Sequence, residues 1–381
     1  MSDAVQLFDV LIIGGGPAGS ALAYALKDSG LSIAILDKKQ FPRSKVCAGW
    51  VSPEVMRLLA IDLHDYAKGR VLQEIHGFRL GLSGQGTQRV VYPGKPVSYA
   101  IRRIEFDHYL LQRCTAQILD AKPLRDMQRE VGGGWLVNKQ YRARLIVGAG
   151  GHFCPVARLL NANLAIELTV VAQEMEFEMN AQQQACCRIS KDIPELFFSD
   201  DLLGYGWVLR KGNYLNIGLG REDRHELSVH VQAFFDDLLA QGKIPSGIEG
   251  HFSGHAYLLY PHANRSIVDD GRLLIGDAAG LAYARSGEGI RPAVESALLA
   301  ASVIKRCNGD YASNNLQPFQ RQIESRFGRR ATGSGRAVKL PQRFKKIVAR
   351  QLFRSPWFVK HVVIDNWFLQ SRQKRLKAVI E

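Results

Sequence analysis

Lys45 and Cys47 stand two residues apart in the run PRSKVCAG, residues 42–49. A thiol beside an ammonium has its pKa depressed, which makes thiolate chemistry available. The same cysteine can also pack as a small hydrophobe. Tyr205 carries a hydroxyl able to protonate a carbanion-like centre, or it packs. Trp50 and Trp207 either wall a lipid-sized pocket or belong to a core. Ahead of them, Gly14, Gly16 and Gly19 keep the G-x-G-x-x-G spacing, and Asp37 follows Gly14 by twenty-three residues. Here the chemistry is binding. Gly14 permits a tight strand-to-helix turn, Gly16 lets backbone approach a pyrophosphate, and Gly19 lets helix and strand pack closely. The helix start then offers free N–H groups and the positive dipole end to phosphates, while Asp37 accepts from ribose hydroxyls. Later in the chain, Asp277 follows a short apolar run. Gly287, Glu288, Gly289 and Ile290 precede Pro292, which is favourable at a helix start and leaves N–H groups facing an anion.

These residues need a particular scaffold. Val10–Ile13 is an apolar, β-branched run, Ala18–Leu26 has helix composition ended by Gly30, and residues 32–36 read as a second strand ending on Asp37. Residues 71–101 alternate strand residues with Gly and Pro. Residues 101–117 turn helical, with Ile104, Leu110, Leu111 and Cys114 as the apolar face. A hairpin turn at 132–135 and a buried strand at 144–147 follow, then strand-like segments over 166–220 and an amphipathic helix over 228–241. A strand at 272–275 and an Ala-rich helix over 292–304 complete the pattern. The fold class is therefore α/β and α+β, a Rossmann-like dinucleotide domain interleaved with a β-sheet domain. The dinucleotide domain is expected over 1–70, 100–165 and 262–310, and the sheet domain over 71–99 and 166–261. A basic helical C-terminal region occupies 311–381.

Charge sharpens the last boundary. The chain of 381 residues carries a formal net charge of +14. Residues 321–381 hold sixteen Lys and Arg against three acids, a net of +13, so the first 320 residues carry 14 − 13 = +1. In that tail Phe344, Ile347, Val348, Leu352, Phe353, Trp357 and Phe358 interleave with the basic residues. Two readings stay open, a helical cap with a solvated basic face or a peripheral contact with anionic lipid. No recognition module for nucleic acid is evident. The six cysteines show neither C-x-x-C nor framework spacing, as expected of free thiols in a reducing cytoplasm. His251 and His255 are four apart, yet Ser253–Gly254 interrupts any helix between them, which argues against a metal site. The N-terminus enters the first strand almost at once and leaves no room for a signal peptide. No apolar run reaches membrane-spanning length.

Three stretches carry a resemblance. LIGDAAGLAYARSGEGI (274–290) resembles the flavin motif of the aromatic-hydroxylase-like FAD superfamily, and R-x-x-F-D-x-x-L (103–110) resembles its FAD-contacting helix start. The GEGI ending, PRSKVCAG, and YGWVLRKGNYLNIGLG (205–220) are more similar to the geranylgeranyl reductase family. The resemblance spans roughly residues 8–305. Leu209–Arg210 stands where that family has Phe-Pro. Ala149–Gly150–Gly151, with Cys154, stands where the superfamily has A-D-G-x-x-S-x-x-R, and Arg158 falls one residue beyond the motif's arginine.

The resemblance implies a non-covalently bound FAD, with Asp277 accepting from its ribityl chain and the Gly287–Ile290 turn facing the N1–C2=O edge. Further contacts are expected from Ala18, Lys38, Lys45, Ala48, Gly49, Arg103 and Gly276. Cys47, Tyr205 and Trp207, singled out above for their chemistry, are the candidate catalytic residues, and no metal is expected. The chain carries no second G-x-G-x-x-G, so a reductant such as NAD(P)H would visit without a Rossmann domain of its own. The implied activity is reduction of C=C bonds in an isoprenoid or lipid-like substrate. The free thiols place the enzyme in the cytoplasm, and the lipid-contact reading of the tail would set it at the inner face of the membrane. Its rivals are a flavin monooxygenase or halogenase, and a membrane-docked flavoprotein passing electrons to a quinone.

Overall fold

The computed structural model describes residues 5–162, 167–223, 225–330 and 342–377. Its first strand, Gln6–Ile13, is exposed at the start and fully buried over its last four residues. It lies between Tyr141–Gly148 and Ile33–Leu36, parallel to both. Arg272–Leu274 and Gln117–Leu119 extend the parallel sheet on either side, and Val268–Asp269 closes one edge antiparallel. Strands buried on both faces need continuous apolar runs rather than alternation, and VLII, IAIL and LIVG supply them. The hairpin expected at 132–135 joins Met127–Arg129 to Trp135–Val137.

The helix Pro17–Ala25 is buried along its whole length, and it packs against the long helix Ile290–Cys307. The long helix starts two residues earlier than expected, so Pro292 is its third residue rather than its first. Helix N–H groups in the first turn have no intrahelical acceptor, which is why proline is tolerated there.

A second, seven-stranded sheet runs in the order Ser253–Tyr257, Val170–Glu178, Tyr214–Arg221, Gly204–Lys211, Glu195–Phe198, Gly77–Leu82, Thr87–Val91. A small third sheet pairs Ser98–Ile101 with Trp50–Val51 and with Leu72–Ile75. It therefore crosses the expected boundary at residue 70 and ties the Cys47 segment to the second sheet's side of the molecule.

Side-chain alternation gives the second sheet two apolar faces. Phe197, Val208, Leu215 and Ile217 meet the helix Leu227–Ala240 through Val231, Phe234 and Leu238. Phe78, Leu80, Leu196, Phe198, Trp207 and Leu209 face the other way. What covers them is the C-terminal tail, through Phe353, Val359, Val363, Ile364 and Phe368. The tail comprises the helix Gln342–Phe353, one turn at Pro356–Phe358 and a π-helical segment Val359–Phe368. Its inner face is thus part of a core. The tail stretches at 331–341 and 378–381 lie outside the described residues.

Candidate active site

The glycine turn is shaped by close contacts. Gly14 has φ +115°, and a Cβ on Gly19 would come within 1.9 Å of the Gly14 carbonyl oxygen. Asp37, at the end of the second strand, accepts the Gly15 N–H at 2.7 Å and the Lys39 N–H at 2.9 Å. Its carboxylate therefore fastens the turn to the strand end at the place where a ribose would sit.

One cavity of about 520 Å³ runs from this turn through the molecule. Gly14, Gly16, Ala18, Asp37 and Lys38 line one end, Arg103 and Asp277 the middle, and Gly287, Gly289 and Ile290 the start of the long helix. Lys45, Cys47, Ala48, Gly49, Tyr205 and Trp207 line it as well. Gly276 does not line it. It packs instead against Ala18 and Ala293, holding the two helix starts together. A Cβ on Gly289 would lie 2.9 Å from Asp277 Oδ1, so the helix start and this carboxylate share one corner. An elongated group carrying a pyrophosphate at a glycine turn and an anionic ring edge at a second helix start matches this shape. The donor set fits FAD.

The middle of the cavity is strongly charged. Lys45 Nζ lies within 3.0 Å of the His255 ring nitrogens, and His255 Nε2 is 3.9 Å from Asp277 Oδ2. Burial brings Lys45 down to about 8, aided by the positive Arg103. Burial also holds His255 below its ordinary value, although Asp277 opposes this. For Asp277 burial acts upward, but His255, Lys45 and Arg103 overcome it and keep the carboxyl below the usual aspartate range. Arg103 makes a bidentate pair with Asp107 at 2.7 Å, and Arg43 reaches the same carboxylate at 3.3 Å. Cys47 Sγ receives the Gly49 N–H at 3.4 Å and sits against the Arg103 guanidinium. Both neighbours are donors, so the sulfur is placed to accept.

The motif running from Tyr205 to Gly220 builds the apolar end. Asn216 Oδ1 accepts the Trp207 indole N–H at 2.8 Å, and a Cβ on Gly218 would come 2.3 Å from the Trp207 ring. Asparagine and glycine on one strand thus fix and accommodate the tryptophan on the next. Tyr205 donates to the Ser286 carbonyl, and burial pushes its hydroxyl pKa far up. Its proton is committed to the turn that carries Gly287. Trp50 meets Phe78 edge-to-face and Phe368 at a tilt, and Tyr205 meets Phe368 edge-to-face, so the tail helps enclose this end.

Beneath Cys47 lies a buried polar network. Glu174 accepts the Cys47 backbone N–H, and burial raises its pKa. Asn216 Nδ2 stands 3.4 Å from both Glu174 and Glu176. Lys211 binds Glu176 at 2.6 Å.

His255 and Tyr257 bear on the cavity, although sequence reading singled out His255 only to reject a metal. Their spacing of two on the strand Ser253–Tyr257 puts both side chains on one face, a signal that was available. Among the described residues no cluster able to hold a metal ion is present. His152 also lines the cavity, where the superfamily motif departs. Its Nδ1 is buried without a partner, and burial beside Arg265 brings the ring down to about 4.

Comparison with known proteins agrees with this geometry. Residues 9–155 match the family described as FAD dependent oxidoreductase. The chain is 27% identical over 351 residues to digeranylgeranylglycerophospholipid reductase 3 of Methanosphaera stadtmanae, covering 86% of this chain and 85% of that one. A geranylgeranyl bacteriochlorophyll reductase-like protein from Thermoplasma acidophilum shares the fold with a TM-score of 0.71 and 21% identity, over 92% of this chain and 88% of that one. The flavin-dependent halogenase CmlS also shares the fold, with a TM-score of 0.66 and 19% identity over 92% of this chain and 71% of that one. Residues 9–155 are thus similar to the FAD-dependent oxidoreductases, and the chain shares its fold with a geranylgeranyl reductase-like protein.

Proposed function

We propose that this protein reduces C=C bonds of an isoprenoid or similar lipid. The observation that carries the reading is the continuity of one cavity from the flavin cradle to an end walled by Trp50, Tyr205, Trp207 and Tyr257. An unactivated alkene offers no polar handle, so the protein must hold it by shape and keep water out. Bound FAD, once reduced, supplies a hydride to one alkene carbon. The chain's residues do the rest. The Gly287–Ile290 helix start, with Lys45 and Arg103, supplies positive potential for the anionic ring edge. Trp207, fixed by Asn216, and Trp50 orient the chain, and Cys47 borders both flavin and substrate. The relatives named for digeranylgeranylglycerophospholipid and geranylgeranyl substrates support this substrate class, and the halogenase likeness extends to the fold alone.

The test is direct. The purified, FAD-loaded protein is reduced with dithionite or NAD(P)H and given a prenylated lipid, and the product is read by mass spectrometry. Gain of two hydrogens per reduced bond is expected. Oxygenated or halogenated product in air, or electron transfer to a quinone with the prenyl chain intact, would sink the reading.

We further propose that the tail docks on an anionic membrane surface. Its helix Gln342–Phe353 buries Ala349 and Phe353 inward, while Phe344 (53%), Ile347 (65%), Val348 (40%), Leu352 (39%) and nearby Trp357 (66%) are exposed. Lys345 and Arg354 flank them. An apolar stripe edged by cations suits an interface rather than a span, and no described helix is long and apolar enough to cross a membrane. Ile347→Asp with Trp357→Ser is expected to abolish cosedimentation with phosphatidylglycerol vesicles. Equal binding of the native protein to phosphatidylcholine vesicles would count against the electrostatic part.

A further inference from the structure

Alkene reduction requires a proton as well as a hydride, and several groups on the cavity could carry it. Tyr205 has committed its proton to the Ser286 carbonyl. Cys47 Sγ faces two donors, Gly49 N–H and Arg103. Lys45 and His255 are occupied with each other beside Asp277. Tyr257 stacks on His255, and burial pushes its phenol far up.

Glu288 is different. It lines the cavity, one residue from each of the glycines that face the flavin edge. Its Oε1 is buried and has no hydrogen-bond partner. The cation of the long helix's first turn that could have neutralised it, Arg291, is held by Glu295 at 2.8 Å. Glu295 is gripped in turn by Arg326 at 2.6 Å. The groups facing the Glu288 carboxyl are therefore Arg291 and Glu295 from the long helix, Tyr283 from its own loop and Tyr205 from the second sheet. The one hydrogen bond to the carboxyl comes from the Arg291 backbone N–H, and a buried carboxyl with one oxygen unpartnered and no cation of its own favours its neutral, proton-bearing form.

We propose, on the reading that the protein reduces alkenes, that Glu288 is the general acid of the reaction. One alkene carbon accepts the hydride, and the adjacent carbon takes the proton from the Glu288 carboxyl as its O–H bond breaks. The carboxylate left behind regains a proton from water at the cavity mouth, so the substrate gains two hydrogens and the flavin returns oxidised. Burial, only partly offset by Arg291, raises Glu288 to about 7. A general acid is active while protonated, so kcat/KM falls as pH rises through this region.

The experiment has two arms. Infrared titration of the FAD-loaded protein without substrate should show a protonated-carboxyl band that vanishes with a midpoint near 7, absent in Glu288→Gln. No such band at pH 6 overturns the proposal independently of any activity. In the second arm, Glu288→Gln should keep its FAD and melting temperature, yet reduce the prenyl lipid roughly 100-fold more slowly and lose the alkaline limb of the pH profile. Glu288→Asp should retain that limb. A Glu288→Gln enzyme with native rate and pH profile overturns the role of Glu288 and leaves alkene reduction standing. A native enzyme with the infrared band that reduces no alkene overturns the functional reading and the donor role together.

Discussion

Gly19→Ala is expected to yield a colourless protein. The added methyl would sit 1.9 Å from the Gly14 carbonyl oxygen and 3.1 Å from Ile12 Cγ2. Gly14 cannot retreat, because it packs with φ +115° directly against the Ala149–Gly150 backbone. The helix Pro17–Ala25 must therefore move. It is buried throughout and packed on the helix Ile290–Cys307, so the displacement reaches both helix starts that face the cavity. Overpacking of this kind costs about 1–3 kcal/mol of stability. The loss of binding is larger, since pyrophosphate contacts depend on the placement of several N–H groups at once. Flavin absorbance per protein should drop more than about tenfold, the factor that roughly 1.4 kcal/mol of lost binding supplies. Gly86→Ala is the control. Its Cβ would meet no atom within 4 Å, and flavin content should not change. A yellow Gly19→Ala protein of native melting temperature would show that the helix can slide on its strand.

This turn was legible in the sequence because every residue in it has a local reason to be there. The strand run, the glycine spacing and the acid at the strand end all act within thirty residues. For the GEGI stretch Pro292 announced a helix start facing an anion, but the role of the GDAAG acid was legible only through family likeness, since nothing local says what an acid after a short strand faces. What escaped was long-range convergence. His255 reaches Lys45 across 210 residues, and no periodicity reports a contact of that kind. Glu288 stood in view within GEGI, but its unpartnered oxygen depends on Arg291 being held by Glu295, which Arg326 grips from 31 residues further on.

The tail shows a different failure. Its net charge of +13 drew attention to the surface, whereas Val359, Val363, Ile364 and Phe368 are core residues. Their offsets of four, five and nine from Val359 do not all stay on one face at 3.6 residues per turn. They suit the i→i+5 winding of the π-helical segment that carries them. Outward-facing apolar residues and an inward-facing core seam thus coexist on consecutive elements. The inner seam closes the aromatic end of the cavity through Phe368, which touches Trp50 and Tyr205, and leaves the outer residues exposed.

Lys211→Met is expected to weaken the fold and loosen the Cys47 segment. Lys211 is fully buried, bound to Glu176 at 2.6 Å, and so close beneath Gly49 that a Cβ there would lie 2.6 Å from its Nζ. Removing one partner of a buried pair strands the other charge, at about 3–5 kcal/mol. Glu176 keeps Arg102 at 3.0 Å and some solvent contact, so a loss nearer about 2–3 kcal/mol is the expectation. The pH dependence gives the sign. Burial acts to raise Glu176, but the Lys211 charge and hydrogen bond prevail, and its folded pKa lies below the ordinary 4.5. A depressed carboxyl stabilises the fold above its unfolded value and loses that contribution as pH falls through the folded one. The gap in urea midpoint between native and Lys211→Met proteins should be widest near neutrality and should narrow on acidification below 4.5. Adding Glu176→Gln should recover part of the loss, because the stranded charge is gone. Since Gly49 donates to Cys47 Sγ, the single variant should also make Cys47 react faster with a thiol reagent while FAD is bound. An unchanged midpoint at neutral pH would mean that water, rather than Glu176, compensates the lysine.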